Sequence, residues 1–164
     1  MKQLILVRHA KSDWTHNVPD FERPLNNRGH KDASKMAKLL FDQNIAIDKF
    51  VSSPAKRALT TAKYFAETYK NPNIKESENL YNPSFKNFEE VISNLDNRFS
   101  SVAIFSHNFG ISEFASFLAE ETINLPTCGI AVFQIDCNEW DSFKTADKKT
   151  KIVPLFSETI FFVL

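Results

Sequence analysis

A three-layer α/β/α domain, with a mostly parallel sheet covered by helices on both faces, is the fold class this sequence predicts. Three observations carry that reading. Leu4 to Val7 is a continuous apolar run that ends abruptly in Arg8-His9, as expected of a strand buried on both faces. Ser101 to Phe105 repeats the arrangement and ends in Ser106-His107-Asn108. Elsewhere, segments with helical apolar spacing alternate with strand-like ones, the pattern of a sheet with crossover helices.

In chain order, the first strand is followed by Asp13 to Arg23, where Trp14 and Pro19 stand among polar residues; this reads as an ordered loop over a pocket mouth. A helix is expected from about Asn26, a favourable N-cap, through Ala33, Met36, Ala37, Leu39 and Leu40. Ile47 to Ser53 reads as the second strand, and Pro54 marks the turn into a helix holding Ala58, Leu59, Ala62, Tyr64 and Phe65. Asn71-Pro72-Asn73 stops it. Ile74 to Ser84 hints at a short strand, and a helix from about Ser84 carries Phe85, Phe88, Val91, Ile92 and Leu95. After the Val102 to Phe105 strand comes a helix through Ile111, Phe114, Ala115 and Leu118. Ile130 to Cys137 and Trp140 to Thr145, separated by Asn138-Glu139, read as a hairpin. Lys144 to Lys151 reads as a solvated loop, and the apolar tail from Ile152 to Leu164 as a sheet-edge element.

The 164 residues read as one domain, 1–164, without repeats or linkers. Lys plus Arg and Asp plus Glu number 20 each, so no net field attracts nucleic acid or an anionic membrane surface. The start, Met1-Lys2-Gln3 and then a strand, is neither a signal peptide nor a membrane span, and points to a cytoplasmic protein. Cys128 and Cys137 lack zinc or redox spacing and are read as free thiols. Three glycines in the whole chain argue against a glycine-rich nucleotide loop.

Ligands of parallel sheets sit at the carboxyl ends of the strands, which is where Arg8, His9 and His107 fall. Lys56 and Arg57 follow the second strand. Two imidazoles with two or more guanidiniums suit phosphoryl chemistry, because forked guanidiniums match phosphate oxygens and a neutral imidazole can attack phosphorus. One Arg-His pair alone carries little; the ordered set carries much more.

Four motifs in order then resemble the histidine phosphatase superfamily, the phosphoglycerate-mutase-like group, and within it the short phosphohistidine phosphatase branch. They are Arg8-His9-Ala10-Lys11-Ser12 with Trp14; Arg23-Pro24-Leu25 with Arg28-Gly29; Ser53-Pro54 with Arg57-Ala58 and Thr61-Ala62; and Ser106-His107-Asn108 with Gly110. Ala55, Thr60, Ser106 and Phe109 depart from residues frequent in the family, none of them groups that touch phosphate. The resemblance implies that His9 is the nucleophile that becomes phosphorylated, that Arg8, Arg57 and His107 bind the phosphoryl group, and that neither metal nor other cofactor takes part. Arg23 is expected to line the pocket mouth.

The acidic motif of the mutases has no counterpart between Asn71 and Ser100. Asp20, Glu22 and Glu78 are the candidate general acids, with Asp20 the choice because it precedes Arg23 by one turn. A weak acid tilts the expectation toward phosphoramidate substrates, since an imidazole leaves with a conjugate-acid pKa of about 6.5. The short stretch before the Val102 strand leaves little material for a lid, so a residue presented on another protein could enter. The expected partner is therefore a phosphohistidine-bearing protein. A small phosphorylated metabolite, handled by a phosphomonoesterase or mutase-like enzyme, and a non-catalytic phosphate-binding module are the alternatives.

Overall fold

A computed structural model of the protein describes residues 1–149 and 160–162. Lys2–Arg8 forms β1, Asn27–Asp42 α1, Lys49–Ser52 β2, Lys56–Thr68 α2 and Ile74–Glu76 β3. Phe85–Ser93 forms α3, Ser101–Ser106 β4, Gly110–Ala119 α4, Ile130–Asp136 β5, Asp147–Lys149 β6 and Ile160–Phe162 β7. The sheet runs β3-β2-β4-β1-β5-β6. Its first four strands are mutually parallel, β5 lies antiparallel to β1, and both β6 and β7 pair with β5.

The alternation of side chains along β1 builds both flanking layers. Leu4 and Leu6 join Val102 and Ile104 in a core with Phe88 and Ile92 of α3 and Phe114 and Leu118 of α4. Ile5 and Val7 join Ala103 and Phe105 on the other face, against Met36 and Leu40 of α1 and Phe65 of α2. A strand apolar at every position is thus one that must satisfy two cores. This is the expected three-layer arrangement.

Two of the helices, α1 and α3, start at side-chain caps. The Asn26 side chain accepts from the Gly29 amide at 2.8 Å at the head of α1. Ser84 and Asn87 form a reciprocal capping box at the head of α3. The β1–α1 loop is fastened where it returns: Asp13 N–H donates to the Pro24 carbonyl at 2.8 Å and Asn26 N–H to the Lys11 carbonyl at 3.0 Å.

One element differs from the sequence reading. Trp140 to Thr145 is not the second hairpin strand; Trp140–Lys144 is a 3₁₀ turn, and the strand that returns along β5 is Asp147–Lys149. Trp140 and Phe143, three apart, are buried in the same core, which a helical turn allows and a strand, alternating its faces, does not. Trp140 is anchored by its indole N–H donating to the Phe99 carbonyl at 2.8 Å and its amide to Asn97 at 2.6 Å. The segment read as a solvated loop accordingly contains β6, with residues 150 and 151 outside the described part. Of the apolar tail, Ile160–Phe162 pairs parallel to β5 and the rest lies outside the described residues.

Gly29 sits where α1 crosses the loop after β1, and a Cβ there would collide with the Lys11 carbonyl oxygen. Because the obstacle is backbone, it cannot rotate away. Gly29→Ala is expected to lose about 1–3 kcal/mol of stability through overpacking, read as a lowered midpoint in urea unfolding with an unchanged slope.

Candidate active site

The carboxyl ends of β1, β2 and β4 bring the predicted residues together. Arg8, His9, Arg23, Arg57, His107 and Asp20 all line one pocket of about 490 Å3, together with Lys11, Ser12, Trp14, Tyr81, Asn82, Asn108 and Thr127. The imidazoles of His9 and His107 lie with ring centroids 5.1 Å apart.

His9 is held from two sides. Its Nδ1 stands 2.7 Å from the Ala10 carbonyl oxygen, which can only accept, so Nδ1 carries the proton and Nε2 keeps its lone pair. The Ala10 amide donates to Thr61 Oγ1 at 3.0 Å, and that hydroxyl donates to the Arg57 carbonyl at 2.7 Å, tying the end of β1 to the first turn of α2. His107 Nε2 lies 2.8 Å from Ser53 Oγ, while its Nδ1 is buried without a partner among the described residues.

The Arg23 and Arg57 side chains are buried and Arg8 is half-buried, and all three guanidiniums are only partly engaged. Arg8 Nη1 donates to the Leu125 carbonyl at 2.8 Å. Arg57 donates through Nη1 to the Asp20 carbonyl at 2.6 Å and through Nη2 to Asp20 Oδ2 at 2.9 Å. Arg23 donates to Ser12 Oγ and, at 2.7 Å, to Asp20 Oδ1, with Trp14 stacked 3.7 Å from its guanidinium carbon. The Nε atoms of all three arginines are buried and unpaired among the described residues.

These surroundings set the charge states. Burial pushes both imidazoles down to about 3; for His9 the Ala10 hydrogen bond opposes this, and Arg57, Arg8 and Arg23 add to it. For His107, burial is followed by His9 and Arg57. Burial alone would raise the Asp20 carboxyl, but hydrogen bonds from Arg23, Tyr81 and Arg57 outweigh it and hold the group well below the usual carboxylate range. In this arrangement Asp20 is an ionised bridge and holds no proton to donate, against the expectation of a general acid. Glu22 and Glu78 are exposed and do not line the pocket.

From sequence, Ser53 stands only as part of the third motif, and Tyr81 only as a residue that packs in a core or loop or against a substrate. Ser53 follows β2 directly, so the strand-end argument that found His9 and His107 would also have found it. Tyr81, whose hydroxyl donates to Asp20 Oδ2 at 2.8 Å, lies in a stretch without clear periodicity and left no such signal. Among the described residues no cluster of three His, Cys, Asp or Glu could hold a metal ion, and no helix is long and apolar enough to cross a membrane.

The family model of the histidine phosphatase superfamily (branch 1) matches residues 4–103. An uncharacterised chloroplastic protein of Arabidopsis thaliana is 29% identical over 151 residues, covering 85% of this chain and 69% of that protein. The crystal structure of the putative phosphohistidine phosphatase SixA from Agrobacterium tumefaciens is similar at 26% identity and TM-score 0.75, covering 81% of this chain and 91% of the other. The putative SixA of Nakamurella multipartitia shares the fold at 20% identity and TM-score 0.80, covering 90% and 91%.

Neutral imidazoles with depressed folded-state pKa values have a pH signature. Below about 6.5 the unfolded chain takes up protons that the folded chain refuses until about 3. Stability is therefore full above pH 6.5 and falls as pH drops through that window, by up to about 1.4 kcal/mol per pH unit per histidine; depression of the Asp20 pKa acts in the same direction at the acid end. In an NMR titration the His9 and His107 rings are expected to stay neutral from pH 8 to pH 5. Protonation of either near pH 6.5 would contradict the geometry described.

Proposed function

The chain belongs to the histidine phosphatase superfamily, and on that premise we propose that it removes the phosphoryl group from phosphohistidine on a protein through a covalent intermediate on His9. It is a histidine-type phosphatase. His9 Nε2 attacks phosphorus with its lone pair, the bond from phosphorus to the leaving imidazole breaks, and that imidazole takes a proton from water. A second water then attacks the phosphoryl group on His9 and gives up a proton that neutralises the hydroxide left by the first; the bond from phosphorus to Nε2 breaks, releasing inorganic phosphate and restoring the neutral ring.

Burial supports this division, because a nucleophilic imidazole must be neutral and His9 is neutral without a base beside it. Arg8, Arg57 and His107 bind the phosphoryl oxygens, and Arg23 contributes at the mouth. The arginine nitrogens unpaired among the described residues are donors that an oxyanion satisfies, and charge on the transferring group is what such donors stabilise best.

The observation that carries the substrate assignment is the ionised state of Asp20, the only carboxylate among the described residues that line the pocket. An alkoxide needs a proton as it leaves; an imidazole, with a conjugate-acid pKa of about 6.5, does not. A phosphohistidine peptide should therefore be turned over faster than phosphoserine peptide or phosphoglycerate by the purified enzyme. Faster turnover of either ester would reject this substrate assignment while leaving the phosphatase intact.

His9→Ala is expected to abolish turnover with the melting temperature retained, and the parent protein to trap acid-labile, base-stable phosphate on His9. Arg57→Ala should lower kcat/KM by on the order of 10²–10³, since a charge-assisted fork is lost in the transition state. Parent-like rates in His9→Ala would sink the covalent route.

A further inference from the structure

Asp20 takes more of the pocket's hydrogen-bonding capacity than any phosphate-binding role explains. Its Oδ1 accepts from Arg23, its Oδ2 from Arg57 and from the Tyr81 hydroxyl, and its backbone carbonyl from the other terminal nitrogen of Arg57. The two arginine side chains are 9% and 5% exposed, whereas the Asp20 side chain is 47% exposed. Two buried cations thus share one carboxylate that reaches the surface of the same pocket. An incoming phosphoryl group meets those guanidiniums already shared with a resident anion.

We propose that Asp20 is a specificity-determining residue: its carboxylate, seated across Arg23 and Arg57 at the pocket mouth, discriminates against phosphoryl compounds that carry a second anionic group beside the phosphorus. This rests on the pocket being the phosphoryl site, and deepens it by naming which phosphoryl compounds are admitted. A neutral or protonated nitrogen base leaving past Asp20 is tolerated or attracted. A neighbouring carboxylate or second phosphate is repelled, because like charges at short range in a partly desolvated pocket oppose one another. The same charge lowers the affinity for every anion, since a ligand must share the arginines with it.

The alternative role is that of a prop, in which Asp20 merely holds the arginines in place. The two roles differ in sign. Removing a competitor tightens anion binding, most for the ligand with the extra charge; removing a prop weakens binding of all anions alike.

The test is calorimetric binding of methylphosphonate and phosphonoacetate, which share a phosphoryl head and differ by one carboxylate, to the parent protein and Asp20→Asn. The parent is expected to bind methylphosphonate more tightly. Asp20→Asn should bind both ligands more tightly and narrow the gap by on the order of threefold to tenfold, a modest factor because the carboxylate is half exposed and screened by water. An unchanged affinity ratio, or a uniform loss of affinity in the variant, overturns the proposal in favour of the prop. Should Asp20→Asn fail to fold, the parent alone decides: phosphonoacetate bound as tightly as methylphosphonate, or more so, also overturns it. Binding of neither phosphonate to the parent would instead overturn the phosphoryl site itself, and this inference with it.

Discussion

The parallel register of β1 against β4 is the constraint on which the rest of the structure depends. Arg8 lies opposite Ser106, and the His9 amide extends the ladder by donating to the Ser106 carbonyl at 3.1 Å. The next residues, His9 and His107, therefore leave the sheet side by side. A slip of one residue would exchange the faces of Leu4 and Leu6 with those of Ile5 and Val7 and unfill both cores. The alternation that fills the cores thus also fixes the imidazole pair. β2 joins the same ladder, with the Ser53 amide donating to the Phe105 carbonyl at 2.9 Å, and so delivers Ser53 to His107 and, at the start of α2, Arg57 to the pocket.

Burial at this sheet end has one cost and one use, and both come from the same physics. Cations removed from water need partners, and the described residues supply few to the three arginines of the pocket: the Leu125 carbonyl, the Ser12 hydroxyl and Asp20. The three arginine Nε atoms, unpaired among the described residues, leave a surplus of donors over acceptors. Such a surplus makes a pocket anion-seeking, because buried polar groups are ordinarily all satisfied. The same loss of solvent keeps the imidazoles neutral, which leaves His9 Nε2 with its lone pair at neutral pH.

Where sequence reading went astray, a pattern had two solutions. Trp140 and Phe143 are compatible with a strand until it is known that both must face one core, under α3, with the indole anchored to the Phe99 carbonyl. Asp20 was found as a carboxylate one turn from Arg23, and that pairing is real. Its second partner, Arg57, lies 37 residues away on another element. That distant contact changes it from a candidate acid into an ionised bridge.

The sequence by itself determined the strands and their direction into the site: apolar runs that stop at Arg8-His9 and Ser106-His107 have only one way to avoid burying charge inside a layer, which is to end at a pocket. It also determined the starts of α1 and α3, since Asn26 and Ser84 cap through contacts three residues away. The tertiary structure alone decided charge and protonation. Whether His9 is neutral, which ring nitrogen is free, and whether Asp20 holds a proton depend on burial and on partners contributed by β1, α2 and the Tyr81 segment together. Those are properties of distances between groups remote in sequence, and local spacing carries no record of them.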